Sequence, residues 1–425
     1  MKLERIFTFI VVISLLMAGC SSTKRSTAKK ISSVLDTGLY ENQFTGFILV
    51  DPIEKDTLYK HNSSKYFTPA SNTKIFTLFA SLHLLPETIP ALKYGTQNDT
   101  LYIQGTGDPS FLHPYLKDST AIDLMRKYET IVWVPALGED EKYGPGWSWD
   151  DYHWYYSPER TTLPVYGNVL SIENGEQLTI VPEYFKDSIV AIDTVMNRDL
   201  NRNNFYFDFN QNDTLEIPMI MGKGLIKRIL EKELGRKIHV TDSFPMITHE
   251  FLYGIPSDTV YKRMMEVSDN FLAEQLLIVA SATISDTLSS KKARDFVLEN
   301  FLADLRQPPR WVDGSGLSRY NLFTPESMVD VLYRLFLQLP EKRLFHFFPT
   351  GGVSGTLEQW YPGDPEPYIH AKTGSLGNNH NVSGYLKTKS GKILIFSFMN
   401  NHFMEDSTTI KQRMQRIFEY IRDTY

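Results

Sequence analysis

The stretch 68-TPASNTKIFTLFASLHLL-85 decides how the rest of the chain is read. Ile75, Phe76, Leu78, Phe79, Leu82 and Leu85 recur at helical spacing and predict a helix with its apolar face turned to a core. The first turn of that helix carries Ser71 and Lys74, three residues apart and so on the same side. An amine beside a hydroxyl can remove its proton and make a nucleophile. Burial and the helix dipole both disfavour an ammonium there, which lowers the lysine pKa. The first-turn N–H groups lack intrahelical partners and could stabilise an oxyanion. The competing reading makes Ser71 a plain helix cap and sends Lys74 to solvent. Taken alone, the motif favours that second reading, because Ser-x-x-Lys is common by chance.

Two further triplets reverse the balance. In 264-MMEVSDNFLAEQLL-277 a polar turn, Ser268-Asp269-Asn270, interrupts two apolar helices. In 368-YIHAKTGSLGNN-379 the run Lys372-Thr373-Gly374-Ser375 falls on an expected edge strand, where a glycine allows close approach to the backbone. Strands 380–389 and 392–401 follow as a hairpin about Ser390-Gly391, and the last helix aligns Ile410, Met414, Ile417, Phe418 and Ile421 on one face. Near the start, TGFILVDP and DTLYKHN form a second hairpin through Pro52, Ile53, Glu54 and Lys55.

The chain has 425 residues, 42% of them hydrophobic and 22% charged, which is ample for a globular core. A net charge of −6 argues against nucleic acid as a partner, since no basic excess exists to neutralise phosphates. Lys2 and Arg5 precede an apolar run from Ile6 to Met17 and then Ala18-Gly19-Cys20, a secretory signal too short for a span of about 20 residues. Its end resembles a bacterial lipobox, which implies a lipid on Cys20 and a membrane anchor in the cell envelope; a plain signal peptide is the alternative. Cys20 is the only cysteine, so neither an intramolecular disulfide nor a thiol nucleophile is available to the exported chain.

Ser-x-x-Lys, Ser-Asp-Asn and Lys-Thr-Gly, in that order, match the signature of serine β-lactamases and penicillin-binding proteins. Almost two hundred residues separate Lys74 from Ser268, more than a compact β-lactamase needs. With GTGDPSF, GWSWDD and DGSGLSRYNLFTP, the motifs resemble the class C penicillin-binding proteins, which are D-alanyl-D-alanine carboxypeptidases and endopeptidases. The resemblance implies an α/β fold of the penicillin-binding, β-lactamase-like transpeptidase kind. An antiparallel sheet is covered by helices beside a helical subdomain, and a mostly β domain is inserted after the nucleophile helix. The expected division is a signal at 1–20, a flexible tether at 21–36, the penicillin-binding domain at 37–93 and 252–425, and the inserted domain at 94–251.

By the same resemblance Ser71 is the acylated nucleophile and Lys74 its base. Ser268 relays a proton to the leaving group and Asn270 holds the substrate amide. Lys372 supplies positive charge, which also favours a neutral Lys74. Thr373 and Ser375 bind a terminal carboxylate beside Gly374, and the N–H groups of Ser71 and Ser375 form the oxyanion hole. Peptidoglycan peptides and β-lactams are the implied ligands, with no cofactor and no metal; oligomeric state is left open. A catalytically weak penicillin-binding or peptidoglycan-binding lipoprotein is the alternative. No Gly-x-Ser-x-Gly elbow surrounds Ser315, Ser354 or Ser375. Solvated or capping roles are expected of His346, His370, His380 and His402, and Trp147, Trp149, Trp154, Tyr155 and Tyr156 are expected to pack a core rather than form a glycan platform.

Overall fold

The structure is a computed structural model that describes residues 24–35, 42–192, 196–210 and 214–425; the signal segment and Cys20 lie outside the described residues. The chain divides into two compact units. One holds the described residues up to Asn72 with Leu305–Pro309 and Leu322–Tyr425, and the other holds the described residues of Thr73–Asp304 with Arg310–Asn321.

The first unit is built on five antiparallel strands: β1 (Phe44–Asp51), β2 (Asp56–His61), β3 (Ile369–Leu376), β4 (Asn379–Lys387) and β5 (Ile393–Asn401), in the spatial order β3-β4-β5-β1-β2. The β1–β2 hairpin closes where Asp51 accepts hydrogen bonds from the N–H groups of Ile53 and Glu54, both 3.1 Å, and Lys55 turns at a φ of 54°. Alternate residues of each strand face opposite ways. Val382, Phe396 and Phe398 therefore meet the Ser407–Thr424 helix, whose buried stripe is Ile410, Met414, Ile417, Phe418 and Ile421, as the spacing predicts. On the other face, Tyr385 donates to the carbonyl of Leu332 in the Pro325–Gln338 helix, 2.8 Å away.

Residues 24–35, expected to be a flexible tether, are instead a helix. Thr27, Ile31 and Leu35 recur every fourth residue and are buried, the last two within the core under the sheet. Lys24 also pairs with Asp56 at 2.6 Å. Three small or apolar positions at helical spacing outweigh the polar composition around them.

In the second unit a five-stranded mixed sheet runs in the order Ile238–Val240, Thr130–Trp133, Thr100–Gly105, Thr88–Gln97, Glu250–Pro256. Leu101, Ile103, Ile131 and Trp133 pack with Ile122 and Met125 of the Thr120–Arg126 helix and with Ile226, Ile229 and Leu230 of the Lys223–Leu234 helix. A three-stranded sheet of Thr214–Pro218, Val169–Asn174 and Leu178–Val181 adds Leu170, Ile172 and Ile217 to the same core.

The helices Lys74–Leu84, Ser257–Glu266, Asn270–Ser281 and Ser290–Asn300 complete this unit. Every residue from Lys74 to Ser81 and from Phe271 to Ser281 is buried, so two of these helices are covered all round rather than along one stripe. The expected aromatic core is corrected in part: Trp149, Tyr155 and Trp154 are 78%, 62% and 40% exposed. They sit on a short 3-10 turn and the loop after it, where no sheet or helix covers them.

Candidate active site

Lys74 opens its helix directly after the 3-10 turn Ala70–Thr73 and is completely buried. Its ammonium donates to Asn270 Oδ1 at 2.6 Å and to the Ser315 carbonyl at 2.8 Å. Burial pulls its pKa down to about 8, against the opposing pull of the carboxylates of Asp269, Asp313 and Glu274. An amine so placed is neutral in roughly one molecule in ten at pH 7, far more than a solvated lysine, and can act as a base.

The acceptors of Lys74 are themselves fixed. Asn270 donates its amide N–H to the Tyr156 carbonyl at 2.8 Å, which leaves its oxygen for Lys74. Asp313 Oδ1 accepts from Gly316 N–H and from the Asn321 amide, and its Oδ2 accepts from Ser318 N–H and Trp147 Nε1, all within 2.9 Å. These bonds shape the loop that presents the Ser315 carbonyl. Buried Glu274 accepts from Ser315 N–H at 2.7 Å, and the Arg160 guanidinium lies 3.4 Å from it. Burial raises the pKa of Glu274, with Asp313 adding to the rise.

Ser268 sits between two helices at a φ of 60°, a conformation that non-glycine residues adopt at a cost. Asp269 caps the second helix, accepting from Leu272 N–H at 3.0 Å. The Ser-Asp-Asn triplet thus turns sharply at its first residue, caps at its second and reaches Lys74 with its third.

In the first unit, Ala70 adopts a φ of 48° just before Ser71. The chain leading there is clamped by Asn381, whose amide donates to the carbonyls of Thr68 and Pro69 at 3.0 and 2.9 Å. Asn72 donates to Ser383 Oγ at 2.8 Å. Register places Gly374 opposite Asn381 and Lys372 opposite Ser383. A Cβ on Gly374 would meet Pro69 O at 2.4 Å, Asn72 N at 2.8 Å and Ser71 N at 3.0 Å, so edge strand β3 lies against the Ser71 turn backbone to backbone.

Lys372 is buried and donates to the Thr373 carbonyl at 2.9 Å, while Thr373 Oγ1 donates to Thr356 Oγ1 at 2.8 Å. Ser375 is exposed, and its hydroxyl lies 2.9 Å from Nδ1 of His380. His380 is buried, which pulls its pKa down to about 3 and leaves a neutral imidazole. The solvated role expected of it is therefore corrected: the β3–β4 turn folds its ring inward. Asn381, Tyr156 and the Ser315 carbonyl were likewise not read from the sequence as parts of a site. Among the described residues no cluster of three or more His, Cys, Asp or Glu is suited to a metal ion.

A serine three residues ahead of a buried amine of lowered pKa is the equipment of acyl transfer with a lysine base. Residues 27–191 and 227–420 match the D-Ala-D-Ala carboxypeptidase 3 (S13) family. The D-alanyl-D-alanine carboxypeptidase DacB of Haemophilus influenzae is 23% identical over 92% of this chain and 92% of its own. The crystal structure of penicillin binding protein 4 from that organism superposes with a TM-score of 0.72 at 19% identity, over 93% of this chain and 99% of that one. A predatory peptidoglycan endopeptidase from Bdellovibrio bacteriovorus gives a TM-score of 0.52 at 16% identity, over 89% and 92%. The chain belongs to the S13 family of class C penicillin-binding proteins and is a serine-type D-alanyl-D-alanine carboxypeptidase/endopeptidase, an enzyme of the cell envelope.

Two outcomes follow from this geometry. Gly374→Ala should fold but lower the rate of D-alanine release by at least about a hundredfold, because backbone atoms beside Ser71 cannot yield as a flexible side chain would; circular dichroism and a D-alanine assay measure the pair. Wild-type activity in a folded variant would contradict the close approach of β3. If Lys74 acts as the base it must be neutral, so kcat/KM should rise as the pH passes about 8 and level off above it. A profile flat between about pH 6 and about pH 10 would remove Lys74 from the role of base.

Proposed function

We propose that hydrolysis proceeds through an acyl-enzyme on Ser71. The observation that carries this reading is the buried, doubly hydrogen-bonded Lys74 of lowered pKa, three residues after a serine. Neutral Lys74 takes the Ser71 proton as Oγ attacks the carbonyl of the penultimate D-alanine. The C–N bond then breaks, and Ser268 passes a proton to the departing amine of the terminal D-alanine. Water hydrolyses the ester and restores Ser71. The same attack on a β-lactam opens its ring and leaves the ring acyl group on Ser71.

Asn270 has two tasks in this scheme, since its oxygen holds Lys74 as well as facing the substrate amide. Lys372 supplies the cation of the third motif, and Thr373 and Ser375 receive the terminal carboxylate. As an edge strand, β3 turns alternate N–H groups outward, which supports a role for Ser375 N–H, with Ser71 N–H, in the oxyanion hole. The inserted domain at 94–251 is supported by a core drawn wholly from Ala91 to Ile238. The chain acts as an exported lipoprotein anchored through Cys20.

Treatment with penicillin should give one covalent adduct by intact-protein mass spectrometry, mapped to the peptide that contains Ser71 and lost in Ser71→Ala. An adduct that survives the substitution sinks the assignment. Purified muropeptides, followed by mass, then separate loss of D-alanine from cleavage of cross-links. Cys20→Ser should move the protein from the membrane fraction to the soluble exported fraction; retention on membranes after a high-salt wash would place the anchor elsewhere.

A further inference from the structure

Within the second unit, a cavity of about 510 Å³ lies among Tyr143, Trp147, Trp149, Tyr152, Glu159 and Asn201, with Leu200 and Ile220 on its wall. Apart from Trp147, whose indole bonds to Asp313, none of these residues has a part in the acyl-transfer site described above. The volume is in the range of ordinary small-ligand sites.

The cavity is built by local sequence. Trp149 and Tyr152 are three residues apart in the 3-10 turn Trp149–His153, where side chains at that spacing eclipse one another and share a side. Gly144 lacks the Cβ that would meet Trp147 Nε1 at 2.3 Å, so the indole lies flat along the backbone. Trp147 is anchored at its far end by the 2.9 Å bond to Asp313 and flanked by the Arg160 guanidinium, 5.7 Å from the ring. Trp149, by contrast, is 78% exposed and offers an open aromatic face.

The polar groups narrow the ligand class. Glu159 is only 2% exposed; its Oε2 accepts from Met221 N–H and pairs with Lys142, both at 2.8 Å, and its Oε1 is 3.5 Å from the Tyr143 hydroxyl. Paired with Lys142, this carboxylate brings no net charge to the cavity, and its remaining lone pairs can accept hydrogen bonds from hydroxyl and amide N–H groups. Asn201 adds an amide at an exposed edge. Aromatic faces for the C–H surface of a pyranose, with fixed polar groups for its hydroxyls, suit a neutral sugar.

We infer that this cavity is a saccharide subsite for the N-acetylated amino-sugar units of the glycan strand, which holds the polymer while the attached stem peptide is cut elsewhere on the enzyme. The choice of glycan rests on the peptidoglycan substrate proposed above; the saccharide chemistry does not.

The test is a calorimetric titration of the full chain with N-acetylated chitotetraose, a neutral probe, beside a stem pentapeptide. Saturable binding of the tetrasaccharide is expected, weakened at least about tenfold in Trp149→Ala, whose exposed side chain is not needed for folding. In that variant kcat/KM for the free pentapeptide should hold while KM for intact peptidoglycan rises at least about threefold. Absence of saturable saccharide binding, unaltered binding in Trp149→Ala, or pentapeptide displacing the sugar from this cavity would each overturn the inference. Failure of the peptidoglycan reading would show separately, as absence of D-alanine release from the free pentapeptide by the wild type.

Discussion

A buried ammonium is the constraint on which the second unit is arranged. Taking Lys74 out of water is costly unless the charge is hydrogen-bonded or given up. Both responses are present. Asn270 Oδ1 and the Ser315 carbonyl accept from it, and desolvation brings its pKa down to about 8, so the proton is held loosely. Asp269, Asp313 and Glu274 limit that fall; without them burial would carry the amine further toward permanent neutrality. The acceptors in turn require the Ser268 turn, the Asp313 loop and the Glu274–Ser315 bond, so much of the local fold follows from one lysine.

The first unit meets a different demand, the approach of two backbones. Strand β3 can lie against the Ser71 turn only because Gly374 has no side chain, and the turn is held from behind by Asn381 and Asn72. Ala70 and Ser268 both carry positive φ angles, 48° and 60°. Backbone strain of this sort costs on the order of 1–3 kcal/mol per residue and persists where surrounding bonds over-determine the geometry. Here the surrounding bonds are the Asn381 clamp in one case and the Asp269 helix cap in the other.

Much of this was legible from residue order. Hairpin tips at Pro52–Lys55 and Ser390-Gly391, and the stripe from Ile410 to Ile421, follow from side-chain period and turn chemistry alone. The motif residues Lys74 and Asn270 do meet, and Gly374 does lie against Ser71. What could not be read has physical reasons. The Ser315 acceptor is a main-chain carbonyl, which every residue possesses. His380 looks like any loop histidine until the β3–β4 turn folds it inward. The aromatic cluster at 147–156 has the composition of a core, but composition does not say which rings a short 3-10 turn leaves uncovered. The 24–35 helix was hidden because its buried positions, Thr27, Ile31 and Leu35, are few among lysines and serines.

That helix bears on where the enzyme can work. Its packing into the core, with Lys24 paired to Asp56, ties the segment 24–35 to the sheet. If Cys20 carries the lipid proposed above, four peptide steps separate it from Lys24, a reach of at most about 14 Å when fully extended. A long tether would let the enzyme sample cell wall at a distance from its membrane. On the proposed lipidation, a leash this short would make it a surface-bound cutter, confined to the glycan strands that come to the bilayer carrying it.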